Sequence, residues 1–147
     1  RNPSPKREEK MTHLSDLAAR QKRVVSISDR ATVRDACKSM AEANVGACAI
    51  LDGGRIVGLF TERDVLKRVL LKNLHTDDVL VKDVMTTEIV TAQDEMTARE
   101  ALDLITTQEI RHLPVLDAEG RLIAVLSIRD LILDQVDEMK DYIALAG

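Results

Sequence analysis

Residues Arg111 to Asp130 read RHLPVLDAEGRLIAVLSIRD. Two short apolar runs, Pro114-Val115-Leu116 and Leu122-Ile123-Ala124-Val125-Leu126, flank Asp117-Ala118-Glu119-Gly120. A four-residue connection ending in Gly between two such runs predicts a β-hairpin. Ser127-Ile128-Arg129-Asp130 follows directly. A hydroxyl with an acid three residues on is the signature of a helix start. The same order occurs earlier, from Gly46 to Asp64, as GACAILDGGRIVGLFTERD. The chain therefore holds one unit twice.

Outward from these two hairpins the correspondence continues. Asp29-Arg30-Ala31-Thr32-Val33-Arg34-Asp35-Ala36 matches Asp94-Glu95-Met96-Thr97-Ala98-Arg99-Glu100-Ala101. Both stretches carry a capping box, and apolar residues then recur at helical spacing, predicting helices over Thr32 to Ala43 and Thr97 to Gln108. Short extended runs precede them at Val24 to Ile27 and Ile89 to Thr91. The first copy then predicts strands over Val45 to Leu51 and Ile56 to Phe60, and a helix from Thr61 to about Lys72. The second predicts strands over Ile110 to Leu116 and Leu122 to Leu126, and a helix from Ser127. Lys82 to Met85 reads as a helical turn, and Leu14, Leu17 and Ala18 predict a leading helix over Thr12 to Arg20.

Each copy is thus β-α-β-β-α, too small to cover its own sheet. The expected fold is α+β: two such repeats packed sheet to sheet about a pseudo-twofold axis. The expected divisions are a flexible arm over 1–11, a first repeat with its leading helix over 12–72, a connector over 73–81, and a second repeat with a C-terminal helix over 82–147.

Composition narrows the function. The 147 residues carry a formal net charge of -4, which gives no drive toward nucleic acid or anionic lipid. Phe60 and Tyr142 are the only aromatic residues, so bases cannot be held by ring stacking. No apolar run approaches the ~20 residues of a membrane span, and the first ten residues lack the apolar core of a secretory signal. Cys37 and Cys48 fall in apolar patterns and read as reduced core residues, so the expected compartment is cytoplasmic. His13, His75 and His112 lack metal-ligand spacing, and no metal site is expected.

Val84-Met85-Thr86, Ile110-Arg111-His112-Leu113-Pro114-Val115 and Ser127-Ile128-Arg129-Asp130 together resemble a CBS domain. Val45-Gly46-Ala47 through Phe60-Thr61-Glu62-Arg63-Asp64 resembles its usual partner. Two copies in this order resemble a tandem pair, the Bateman module, as found in small stand-alone CBS-pair proteins. The resemblance covers about Val24 to Leu133. It implies regulatory binding of an adenosyl ligand, namely AMP, ADP, ATP, NAD(H) or S-adenosylmethionine. It also implies a homodimer and a regulated protein partner.

The resemblance gives candidate ligand-binding roles. Asp64 and Asp130 are placed at ribose diols, with Thr61 and Ser127 at the phosphate-proximal edge. A helix N-terminus following a strand offers free N–H groups and a positive dipole end to a phosphate. The competing reading of both motifs is a capping box and nothing more, as Thr32-Val33-Arg34-Asp35 has the same form. Arg63 and Arg129 lie near phosphates by analogy, or are solvated surface charges. Thr86, Ile89 and Val90 join the set, with the base between Val24-Val25 and Ile89-Val90. Arg111, His112 and Pro114 supply further phosphate contacts in the second copy, where the first has Gly46, Ala47 and Ala49. A protonated His112 would make affinity fall as pH rises above about 6.5. Otherwise His112 is a satisfied, partly buried histidine. The face formed by Leu131, Ile132, Leu133, Val136 and Met139 is expected to pack on a second subunit, with the tail from Asp137 as an alternative cover.

No nucleophile, base and acid converge by sequence logic, so catalysis is not expected. The alternatives to a nucleotide sensor are a structural dimerisation module with degenerate clefts, or a regulatory fragment of a larger enzyme or transporter.

Overall fold

The computed structural model describes residues 11–21 and 24–146. The expected arm over 1–11 therefore lies outside the described residues, apart from Met11. In chain order the elements are α1 (Leu14–Arg20), β1 (Ser26–Ser28), α2 (Val33–Ala43), β2 (Ala47–Asp52) and β3 (Arg55–Thr61). Next comes α3, which starts as Glu62–Asp64 and continues as a π-helical stretch, Val65–Leu70. A 3-10 turn (Val81–Asp83), β4 (Ala92–Gln93), α4 (Ala98–Gln108), β5 (His112–Leu116), β6 (Leu122–Ser127) and α5 (Ile128–Ala146) complete the chain.

The strands form two three-stranded sheets, β1-β2-β3 and β4-β5-β6. In each, the first pair is parallel and the second an antiparallel hairpin. Gly53 and Gly54 both take positive φ, 58° and 83°, as a two-residue hairpin loop with the favoured twist requires. The second turn has one residue more. There the Asp117 carboxylate accepts the N–H groups of Glu119 and Arg121. These bonds, that of Arg121 first, hold its pKa below the ordinary carboxylate value. Each hairpin breaks register at the equivalent place, between Ile50 and Leu51 and between Val115 and Leu116.

Strand alternation divides the side chains between two environments. In β2, Cys48 and Ile50 enter a core with Val33, Ala36, Met40 and Phe60. In β5, Leu113 and Val115 enter a second core with Ala98, Ala101, Ile105 and Leu126. The opposite faces carry small or flat residues: Ala47, Ala49 and Pro114 are buried outside both cores. Here β2 and β6 make contact, so the two sheets meet back to back as the fold class anticipates.

The two halves are interleaved. In sequence α1 leads the first repeat, yet its Leu14 and Leu17 lie in the second repeat's core. Leu14 N donates to Met96 O at 2.8 Å, Ser15 N to Asp94 O at 2.9 Å, and Ala98 N to Thr12 O at 2.9 Å. The connector does the reciprocal thing. Val81 and Val84 enter the first core, Val33 N donates to Val79 O at 2.9 Å, and Val81 N donates to Ala31 O at 2.8 Å. Each buried Leu or Val here contributes roughly 1.5–3 kcal/mol of apolar burial. Each half is thus closed by a segment that precedes the other.

Two expectations shift. β1 and β4 start later than the extended runs at Val24 and Ile89, because parallel pairing begins only at Ser26 opposite Ala49 and Ala92 opposite Val115. The helix expected from Thr61 to Lys72 is regular only over Glu62–Asp64 and then widens to i→i+5 bonding over Val65–Leu70, with Leu71 N donating to Leu66 O at 3.0 Å. That wider turn keeps Val65 and Val69 on the first core while Arg68 reaches back to Asp64. The C-terminal helix buries Leu131, but Ile132, Leu133, Val136 and Met139 are exposed on the single chain.

Candidate functional site

Two equivalent seams arise because each repeat's last helix starts beside the other repeat's leading segment. The first joins Thr61 and Asp64, at the start of α3, to Val84-Met85-Thr86. That segment runs along the edge of β3: Thr86 N donates to Leu59 O at 2.8 Å and Leu59 N to Thr86 O at 2.9 Å. The capping box forms as the sequence predicts, with Asp64 N donating to Thr61 Oγ1 at 3.3 Å and Thr61 N to Asp64 Oδ2 at 3.0 Å. Asp64 is also buried, at 5% exposure. Its carboxylate accepts the Thr86 hydroxyl and lies 3.5 Å from Arg68 Nε. Arg68 Nη1 in turn donates to Met85 O at 2.9 Å.

The second seam joins Ser127 and Asp130, at the start of α5, to the end of α1. Ser127 N and Oγ donate to Asp130 Oδ2 at 2.8 and 3.0 Å, and Asp130 N donates to Ser127 Oγ at 3.2 Å. Here the acid is exposed. Gln21 occupies the place that Thr86 has in the first seam, and its amide substitutes for the missing strand backbone. Gln21 Nε2 donates to Val125 O at 3.0 Å, and Val125 N donates to Gln21 Oε1 at 3.2 Å. Position Arg68 is matched by Asp134, which pairs with Arg20 Nη1 of α1 at 3.5 Å. A cavity of about 230 Å³ remains, lined by Leu17, Arg20, Gln21, Leu126, Asp130 and Asp134 among others. That volume is below the ~300 Å³ at which drug-sized ligand pockets begin.

Between the seams, across the pseudo-twofold axis, lies a charged group. Ile128 N donates to Arg111 O, and equivalently Glu62 N donates to Gly46 O, both at 3.1 Å. His112 is half-buried and faces Glu62, Arg111 and Asp130. Burial pushes its pKa below 6.5, partly offset by the Glu62 carboxylate. Burial thus disfavours the imidazolium invoked for phosphate binding.

The predicted residues separate clearly. Thr61, Asp64 and Thr86 come together in the first seam, and Ser127 with Asp130 in the second. Arg63, Arg111 and Arg129 are exposed. Pro114 is wholly buried in β5 opposite Val125. Val25 packs into the first core and Val90 against the second, with Ile89 half-buried beside it. The runs named for the base thus serve different cores.

Sequence reasoning missed Arg68, Gln21, Arg20 and Asp134. The signal for one pair was present: equivalent positions in the two repeats carry opposite charge, Arg68 and Asp134. Among the described residues no group of three or more His, Cys, Asp or Glu is placed to hold a metal ion. No described helix is long and apolar enough to cross a membrane.

This arrangement has known counterparts. The chain is 34% identical over 122 residues to the CBS domain-containing protein CBSCBSPB3 of Arabidopsis thaliana, covering 82% of this chain but only 22% of that one. The crystal structure of the CBS domain protein NE2398 superposes with a TM-score of 0.78 at 34% identity, covering 86% of this chain and 98% of the other. The CBS domain protein PAE2072 from Pyrobaculum aerophilum, solved in complex with AMP, superposes with a TM-score of 0.71 at 30% identity, covering 80% and 88%. The CBS domain model matches residues 14–71 and again 81–136. The duplicated hairpins, the reciprocal closure of two cores and these matches agree: the chain belongs to the CBS domain family and carries two CBS domains in tandem.

Proposed function

We propose that the chain is a non-catalytic regulatory module that binds an adenosyl nucleotide at the seams between its two repeats. The observation that carries this reading is the start of α5, where Ser127 and the exposed Asp130 carboxylate stand beside a cavity. A carboxylate with a free oxygen can accept both hydroxyls of a ribose, and such charge-assisted bonds contribute roughly 1.5–3 kcal/mol each. The AMP complex of PAE2072 supports the ligand class. AMP, ADP, ATP, NAD(H) and S-adenosylmethionine share the adenosine that these groups would read. Arg111 and Arg129 supply exposed cations for phosphates, and Arg63 does so at the first seam. Thr61, Asp64, Thr86, Ile89 and Val90 form the equivalent first site, with His112 and Pro114 shaping the wall between.

A ligand wedged between the repeats regulates a partner only through different affinity for two arrangements of the halves. The exposed apolar face of α5 (Ile132, Leu133, Val136 and Met139) supports a homodimer. Calorimetric titration with AMP, ATP, NADH and S-adenosylmethionine tests the reading. Binding of at least one is expected, and silence from all four at millimolar concentration overturns it.

One observation favours a second reading, an interaction module with degenerate clefts: Asp64 is already filled by the chain's own groups. A partner captured equally with and without nucleotide supports that alternative.

A further inference from the structure

The two acids that the repeat makes equivalent are in opposite states, and the residues one turn along their helices explain it. Asp64 has both carboxylate oxygens engaged: Thr86 Oγ1 lies 3.1 Å from Oδ1 and 3.2 Å from Oδ2, Thr61 donates twice to Oδ2, and Arg68 Nε lies 3.5 Å from Oδ1. Arg68 also holds the segment itself through Met85 O. The buried acid, the half-exposed cation and the leading segment are joined into one unit. A ribose reaching Asp64 would have to displace the Thr86 and Thr61 donors from a carboxylate that is only 5% exposed. A buried carboxylate stripped of its hydrogen-bond donors is strongly disfavoured.

At the second seam each member of that unit is changed. Position Arg68 becomes Asp134, which cannot pair with Asp130 and turns to Arg20 instead. Position Thr86 becomes Gln21, whose amide is spent on the Val125 backbone and does not reach the acid. Among the described residues the Asp130 carboxylate accepts only its own capping bonds, both at Oδ2, and Asp130 lines the cavity.

We propose that Arg68, Asp64 and Thr86 form an internal latch that closes the first seam, so that one adenosyl ligand binds per chain, at the Asp130 seam. The inference rests on the nucleotide-binding reading and adds which seam is receptive and what shuts the other. Repeat one then acts as the fixed half and repeat two as the half that responds. Arg68 is a positioning residue, as it acts through Asp64 and the leading segment.

The test uses the full chain and AMP as the probe. Calorimetry is expected to give one site per chain. Asp130→Asn weakens that site at least about tenfold. Arg68→Met leaves its affinity within roughly threefold and lowers the thermal midpoint, whereas Asp130→Asn leaves the midpoint in place. Two equal sites per chain in the unaltered protein would overturn the latch while leaving the nucleotide reading standing. So would Arg68→Met abolishing binding as Asp130→Asn should. If no adenosyl ligand binds, the nucleotide reading fails and takes the one-site claim with it. The melting comparison still judges the latch, and equal midpoints for Arg68→Met and the unaltered protein sink it.

Discussion

Gly58 and Thr86 approach so closely that no side chain fits between them. A Cβ on Gly58 would stand 2.8 Å from the Thr86 carbonyl oxygen and 2.6 Å from the Met85 sulfur. The methionine can rotate away, but the carbonyl is fixed by the Leu59–Thr86 pair beside it. Gly58 is therefore required by close packing of the connector on β3.

Gly58→Ala should push the connector off β3 and destabilise the fold by about 1–3 kcal/mol, the usual range for forced overpacking. Gly46→Ala is the control. Its new Cβ would press on the Glu62 carboxyl at 2.9 Å, the far end of a flexible side chain, and touch His112 Nε2 at an ordinary 3.8 Å. Urea titrations of both variants should show a large midpoint loss for the first and little for the second. Equal losses would mean the connector is not anchored at this edge.

Both repeats end their middle helix with a left-handed residue, but not with equally suited ones. Asn44 has φ 54° at the end of α2, and Glu109 has φ 54° at the end of α4. Asn tolerates that region, whereas a longer side chain is strained by roughly 1–2 kcal/mol. Glu109→Asn copies the first repeat's solution. A gain of up to about 1 kcal/mol in unfolding free energy is expected, and a loss would show that the Glu109 side chain does something its exposure hides.

The two cysteines should differ in chemistry. Cys48 is fully buried in β2, and desolvation pushes its thiol pKa up to about 11, despite a hydrogen bond from the Ile27 backbone that lowers it. Cys37 is half-buried, and desolvation raises its pKa as well. Only thiolates alkylate at useful rates. In iodoacetamide labelling of the native protein at pH 8, read by peptide mass, Cys37 should react slowly and Cys48 only through unfolding. Prompt modification of Cys48 would contradict its place in the core.

How much of this was legible in the sequence depends on the range of the interaction. The capping boxes at Thr32/Asp35, Thr97/Glu100, Thr61/Asp64 and Ser127/Asp130 all form, because each closes within four residues of chain. The hairpins follow from turn chemistry for the same reason. The interleaving does not. Leu14 and Leu17 show a helix with one apolar face, but nothing local says that the face belongs to the second core. Arg68 stands four residues from Asp64 in sequence, but its bond to Met85 O depends on a segment arriving from beyond the connector. Duplication supplied the one long-range clue, since equivalent positions invite comparison, and Arg68 against Asp134 is the comparison that separates the two seams.

The last expectation concerns acid. His112 sits half-buried where the repeats meet, facing Glu62, Arg111 and Asp130. Burial is the main reason its folded pKa lies below 6.5, with Arg111 acting in the same direction and the two carboxylates opposing. Above 6.5 the imidazole is neutral in folded and unfolded chains alike, and its contribution is fully present. As pH falls through 6.5, the unfolded chain takes up the proton first, so stability drops until the folded pKa is passed. His112→Gln removes this proton uptake. Urea midpoints measured from pH 7.5 down to 5.5 should fall more steeply for the unaltered protein than for the variant. Parallel curves would mean that His112 is as well solvated as an unfolded histidine, and that the two repeats are not closed around it.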